Sequence, residues 1–340
     1  MKAYVIAGPG VGGVVDVDPP RPSAGEVIVE VCMVGICGTD RELFDGSMAY
    51  LHDGNARYPL QIGHEWVGRV RGVGAEVDPS WIGRRVTADP ILGCGMCDRC
   101  AAQHSHVCAA RYEIGVRGGW PGALAEQFPV PVAALYPVPD SIDDRAAAMA
   151  EPAGIAWRAF EAAGVTAGER LLILGPGTIG LLCAMFARAA GAEVHLLGPA
   201  DRSLQFARTL GFDGVWTSED LPRRAWHGVV DASNASSCPG LATELVEPGR
   251  RVVLVGLAGT PSYIDSRQVA LKDVTLVGIL GASAGLRHAI ASLADGSVDP
   301  LALVSAVSAL EDVTDVLSSR PLAGAGPGPK TLIDLKPEIR

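Results

Sequence analysis

Four cysteines within fifteen residues constrain this chain more than any other feature. Cys94-x2-Cys97-x2-Cys100-x7-Cys108 offers four soft ligands at a spacing that closes a tetrahedral zinc site. Four thiolates leave no coordination position for a substrate, so the site is structural. Free thiols or a redox CxxC pair are the alternatives, and the four-membered spacing favours the metal. His104 and His106 lie inside the loop; they read as solvated side chains, although they could compete as ligands. Of the eight cysteines, half are thus clustered for a metal, which suits a reducing compartment better than a disulfide framework. Cys32 and Cys183 read as inert packing residues, and Cys238 has no assignment.

A catalytic zinc site differs in keeping one position open beside about three protein ligands. Two segments offer ligands of the right kind: Cys37-Gly38-Thr39-Asp40-Arg41-Glu42 and Gln61-Ile62-Gly63-His64-Glu65-Trp66-Val67-Gly68. Alone, each has an ordinary explanation, a cysteine buried after a strand or a histidine in a core. Together with the quartet they carry more weight. The pattern Gly63-His64-Glu65-x2-Gly68-x5-Gly74-x2-Val77 resembles the zinc signature of the medium-chain dehydrogenase/reductase superfamily, the zinc alcohol and polyol dehydrogenases. The quartet resembles that superfamily's structural-zinc lobe in all four cysteines.

The resemblance implies a residue set. Cys37 and His64 would be the first two catalytic ligands, and the third would be Glu65 or Glu151, the latter standing in Ala150-Glu151-Pro152-Ala153 where polyol and sugar dehydrogenases tend to carry a glutamate. Thr39 resembles the hydroxyl that takes the alcohol proton and passes it on. Many relatives have a histidine five residues after the cysteine; here Glu42 stands there, as a proton acceptor or as mere surface. Asp40 looks like the carboxylate that orients the zinc-bound histidine. Tyr50, Trp66 and Trp120 are candidates for the substrate cleft, and Glu42 and Glu151 tilt the substrate towards a polyol, sugar or amino-alcohol.

Pattern reading divides the chain in two. Val27, Val29, Val31 and Met33 alternate with Ile28, Glu30 and Cys32, as in a half-buried strand, and short apolar runs separated by glycine and proline continue to about Glu151. Residues 141–163 have helical composition. From Arg170 strands alternate with helices, beginning with the apolar run Leu171-Leu172-Ile173-Leu174. A helix over 178–190, a strand over 193–197, a helix over 201–210 and strands near 228–231, 251–255 and 274–279 predict a doubly wound α/β domain. The family likeness adds that residues 1–153 form a GroES-like catalytic domain, 154–288 a Rossmann domain, and 289–340 return to the first.

Gly175-Pro176-Gly177-Thr178-Ile179-Gly180 follows a predicted strand and opens a predicted helix, the context in which glycines let a pyrophosphate approach a helix N-terminus. An acid at the end of the next strand would bind the adenosine ribose and repel a 2′-phosphate. That position is Gly198, which resembles NADP-dependent members of the superfamily, and Arg202 could reach the phosphate. Asp201 could stand in for the missing acid or cap the helix. The reading leans to NADP, with NAD open.

Other classes fit less well. A net charge of −10 without a basic block disfavours nucleic acid, including a zinc-ribbon reading of the quartet. The longest nearly uncharged run, 171–187, falls short of a membrane span, and the amino terminus has no secretory pattern. The chain reads as a cytoplasmic zinc- and NAD(P)-dependent oxidoreductase with a small-molecule partner, in family terms a homodimer or homotetramer. The rival reading is a catalytically silent dinucleotide-binding sensor or scaffold, which loss of Cys37 or His64 would mark.

Overall fold

The computed structural model describes residues 1–335. It divides into two compact units, one comprising residues 1–151, 304–326 and 330–335, the other residues 152–303 and 327–329.

In the first unit a seven-stranded sheet runs in the order Leu135–Pro137, Arg85–Ala88, Glu65–Val73, Glu26–Gly35, Lys330–Asp334, Val304–Ala309, with Gln127–Pro131 also pairing with Glu26–Gly35. The strand Glu26–Gly35 was expected to be half-buried by its alternation. It is instead central, and Ile28 and Val34 are buried as well as Val27, Val29, Val31 and Met33. Register shifts between Ile28 and Val29 and between Val31 and Met33 interrupt strict alternation, and such bulges re-aim side chains along a strand. The core beneath includes Trp66 packed edge-on against Phe128, with ring centroids 4.9 Å apart. Trp66 is fully buried there, so it is a core residue of this unit and not the pocket residue suggested by its sequence neighbours.

In the second unit six parallel strands follow the order Gly214–Trp216, Glu193–Leu197, Arg170–Leu174, Trp226–Asp231, Val246–Leu254, Thr275–Gly278. Leu171 to Leu174 are wholly buried, as a strand covered on both faces requires. The helix Thr178–Ala189 follows this strand and Arg202–Thr209 follows the next, each within a residue of its expected bounds. The strand expected near 251–255 starts five residues earlier, at Val246. Residues 289–303, expected to return with the tail, cluster with this unit instead. The reason is local packing: the helix Leu286–Ala294 buries Leu286, Ala289, Ile290 and Leu293, and Gly154 lets its backbone come close.

Candidate active site

Sheet register assembles the site in the first unit. Gly35 lies opposite Glu65 in the antiparallel pair, so Ile36-Cys37, leaving one strand, comes to the same end of the sheet as His64, entering the other. Cys37 then becomes the N-cap of the helix Gly38–Asp45. Its N–H donates to Asp40 Oδ2 at 2.9 Å, which fixes the aspartate in the helix's first turn. Candidate ligand atoms of Cys37, His64 and Glu65 all lie within 4.8 Å of one another.

The electrostatics of this group suit a cation. His64 Nδ1 is 3.5 Å from Asp40 Oδ1, and among the described residues neither atom has a hydrogen-bond partner although both are buried. With Nδ1 turned to the carboxylate, Nε2 is the nitrogen left for a metal. Burial by itself would lower the His64 pKa; the neighbouring Asp40 carboxylate, then Cys37, outweigh it and hold the value well above the ordinary one. A thiol, an imidazole and a carboxylate gathered in a buried site are a donor set that zinc takes.

Glu65 has a partner that sequence reading missed. Lys330, 2% exposed, places Nζ 2.6 Å from Glu65 Oε2 and donates to the carbonyl of Ile36 at 3.1 Å. Burial pushes the Lys330 pKa down, but Glu65, Cys37 and Asp40 together raise it above its ordinary value. The strand Lys330–Asp334 brings it there by pairing with Glu26–Gly35, Leu332 opposite Gly35. No local motif marks Lys330; only the family likeness led its segment to be expected back in the first unit. Gly35 is needed on the other side, because a β-carbon there would overlap Glu65 Oε2.

Glu151 is buried in the same unit, at the start of the helix Ala150–Ala163, but outside the compact Cys37–His64–Glu65 group. Burial pushes its carboxyl up to about 8; His64 and Lys330 oppose the shift, while Glu65 and Asp89 add to it. Thr39 is half-buried on the first turn after Cys37, and Glu42 is exposed one turn on, its pKa raised by partial desolvation and by Asp45. Tyr50 donates to Glu113 at 3.1 Å and accepts from Arg111 at 3.1 Å, while the Trp120 indole donates to the Pro129 carbonyl at 3.0 Å.

The quartet is assembled too. Cys94 and Cys100 sulfurs are 4.0 Å apart, Cys97 and Cys100 3.6 Å, Cys97 and Cys108 3.7 Å. A tetrahedral ion with Zn–S bonds of about 2.3 Å needs sulfurs about 3.8 Å apart, so the loop fits one. His104 and His106 contact each other edge-on and stand outside the four-sulfur group. Cys183 is buried in the helix Thr178–Ala189, where burial pushes its thiol up to about 12.

In the second unit, Gly175 has φ +98 and donates its N–H to the Leu197 carbonyl at 2.8 Å. Gly177 begins the helix Thr178–Ala189 without a side-chain cap, and a β-carbon on it would meet nothing within 4 Å. The first-turn amides of Thr178, Ile179 and Gly180 therefore face a position open to an anion. Gly198 directly follows the next strand, Glu193–Leu197. Asp201 is the N-cap of the following helix, accepting from the Ser203 N–H at 2.9 Å and the Leu204 N–H at 3.2 Å. Arg202, by contrast, is exposed and makes no ion pair with any described residue.

Comparison with known proteins gives the same picture. Residues 23–140 match the family described as "Alcohol dehydrogenase GroES-like domain", and residues 178–295 the one described as "Zinc-binding dehydrogenase". The chain is 32% identical over 327 residues to 2-dehydro-3-deoxy-L-galactonate 5-dehydrogenase of Pseudoalteromonas atlantica (strain T6c / ATCC BAA-1087), covering 93% of this chain and 94% of that protein. Among solved structures it resembles a short chain alcohol dehydrogenase from E. coli CFT073 complexed with cofactor NADH, with a TM-score of 0.88, 26% identity and coverage of 98% and 99%. It also resembles a putative zinc-binding dehydrogenase from Sinorhizobium meliloti 1021 bound to NADP, with a TM-score of 0.87, 27% identity and 98% coverage of both chains. The Cys37–His64–Glu65 group, the four-sulfur loop and the glycine turn are thus borne on a GroES-like unit and a Rossmann unit, and the chain belongs to the zinc-dependent medium-chain superfamily of alcohol and polyol dehydrogenases.

Proposed function

We propose that the chain transfers a hydride between a secondary alcohol, polyol or sugar, or the matching ketone, and NAD(P), with one catalytic and one structural zinc. The observation that carries this reading is the register-built cluster of Cys37, His64 and Glu65, with Asp40 behind the imidazole. Glu65 is the better third ligand because it belongs to the compact group; Glu151 stands within electrostatic reach. Held by Cys37, His64 and Glu65, a zinc ion would supply polarisation of the substrate oxygen, and a bound nicotinamide would be the donor or acceptor of the hydride. Asp40 orients His64, and Lys330 holds one oxygen of Glu65. Thr39 takes the proton from the substrate hydroxyl and passes it outward, with Glu42 as acceptor at the exposed end.

In the second unit, Gly175, Gly177, Thr178, Ile179 and Gly180 would hold the pyrophosphate. NADP is favoured: Gly198 offers no acid to the ribose, Asp201 is committed to its helix cap, and Arg202 makes no ion pair with any described residue. A cytoplasmic setting is supported by cysteine usage, since none of the eight is in a disulfide and four are gathered for a metal.

Metal analysis and a panel of diols, polyols and sugars with NADP and NAD test the proposal together. Two zincs per chain are expected, and Cys37→Ser should keep one while turnover falls roughly a hundredfold or more, because polarising the oxygen is worth several kcal/mol. A single zinc in the wild type, with no turnover of any alcohol in the panel, would sink it.

A further inference from the structure

We propose that Pro176 is a positioning residue that bears on cofactor choice through residue 198: its ring occupies the space that a β-carbon at position 198 needs, so the acid that would bind an unphosphorylated ribose cannot be installed there. This rests on the dinucleotide reading given above and explains a feature which that reading takes as given, the glycine at 198.

Gly198 is not a glycine for conformational reasons. Its φ lies outside the left-handed range, so an L-residue could adopt its backbone. The obstacle is space. A β-carbon at 198 would stand 2.6 Å from Pro176 Cδ and 2.8 Å from Cγ, where real contacts are essentially never so short. The third neighbour, Leu204 Cδ1 at 3.4 Å, is in ordinary contact and is the tip of a flexible side chain.

A proline ring cannot swing aside as a flexible side chain would, because it is closed onto its own backbone nitrogen. Backbone retreat is blocked on both sides. Gly175 N–H is bonded to the Leu197 carbonyl at 2.8 Å, and Gly198 N–H to the Trp216 carbonyl at 3.1 Å. Behind the turn, Gly175 already lies against the backbone of Ala232, and Gly180 against the carbonyl of Gly175. The turn is held between its own helix and the next strand, so the conflict between rings and β-carbon stays local to Pro176 and residue 198. Removing Cγ and Cδ opens the space that an aspartate at 198 would need to reach a ribose.

The test uses full-length, zinc-loaded protein as wild type, G198A, G198D, P176A, P176A/G198A and P176A/G198D. Dissociation constants for NADH and NADPH come from nicotinamide fluorescence, and folding from thermal melting. Wild type binds NADPH more tightly. G198A, which adds only the β-carbon, lowers the melting temperature, and P176A/G198A restores most of the loss. G198D weakens both cofactors without reversing their order. P176A alone weakens both together, leaving their ratio within about twofold. P176A/G198D reverses the order, with NADH at least about tenfold tighter than NADPH.

G198D reversing the preference with an unchanged melting temperature would overturn the proposal, as would a double variant no better than G198D in both measurements. A wild type that binds neither cofactor, or that already prefers NADH, overturns it through its premise, and that failure is recognised before any variant is made.

Discussion

At the scale of single residues, the pair Lys330–Glu65 shows how much of a site can hang on one contact. Both side chains are almost completely removed from water, 2% and 1% exposed, and their charges meet at 2.6 Å. Breaking a buried pair from one side strands the other charge, at a cost of about 3–5 kcal/mol. Lys330→Met is therefore expected to lower thermal stability by that amount. The loss should be larger in metal-stripped protein, where no dication remains beside Glu65, and the double change with Glu65→Gln should recover most of it. Melting curves with and without zinc check this; a single variant as stable as wild type in both states would mean that the pair does not hold the site. Glu65 was legible beside His64 in the sequence. Lys330 was not, because 265 residues separate it from its partner and only the strand pairing closes that distance.

At the scale of elements, His64 is positioned by a wall of glycines. Residues 61–63 run against 122–124, with Gly122 N–H bonded to Gln61 O at 2.9 Å, Ala123 N–H to Gly63 O at 2.8 Å and Leu124 N–H to Ile62 O at 3.0 Å. A β-carbon on Gly122 would land on the Ile62 carbonyl, and one on Gly115 on the backbone of Gly63. Gly122→Ala should push Ile62-Gly63 away and carry His64 with it, costing about 1–3 kcal/mol by overpacking. Metal analysis should then find the catalytic zinc lost and the quartet's zinc kept. Two zincs with an unchanged melt would show that the wall is dispensable. The quartet itself was readable because its four ligands are close in sequence and their spacing needs no tertiary partner. The glycine wall was not, since Gly115 and Gly122 look like any loop glycine until the segment they pack against is known.

At the scale of the whole molecule, one sheet edge bears on assembly. The strand Thr275–Gly278 ends the six-stranded sheet with its second edge unpaired among the described residues, and Leu276 on it is 37% exposed. Leu271, 87% exposed, precedes it, and Leu280 follows. An exposed apolar sheet edge is a template for another chain, so a homodimer through this edge, or a tetramer built from it, is the expected state. Leu271→Glu with Leu276→Glu should shift the protein to monomers in light scattering; a wild type that is already monomeric excludes the assembly outright.

The sequence by itself determined what lies close along the chain: the quartet, the glycine turn after Leu171–Leu174, the alternation of strands and helices, and the pairing of His64 with Glu65. Each of these is set by local spacing and periodicity, which a linear reading preserves. Only the tertiary structure decided that Asp201 serves its helix, that Trp66 belongs to the core, that residues 289–303 stay with the second unit, and that Lys330 reaches Glu65. Those outcomes depend on strand register and on which surfaces meet, and register couples residues whose separation along the chain carries no trace of their contact.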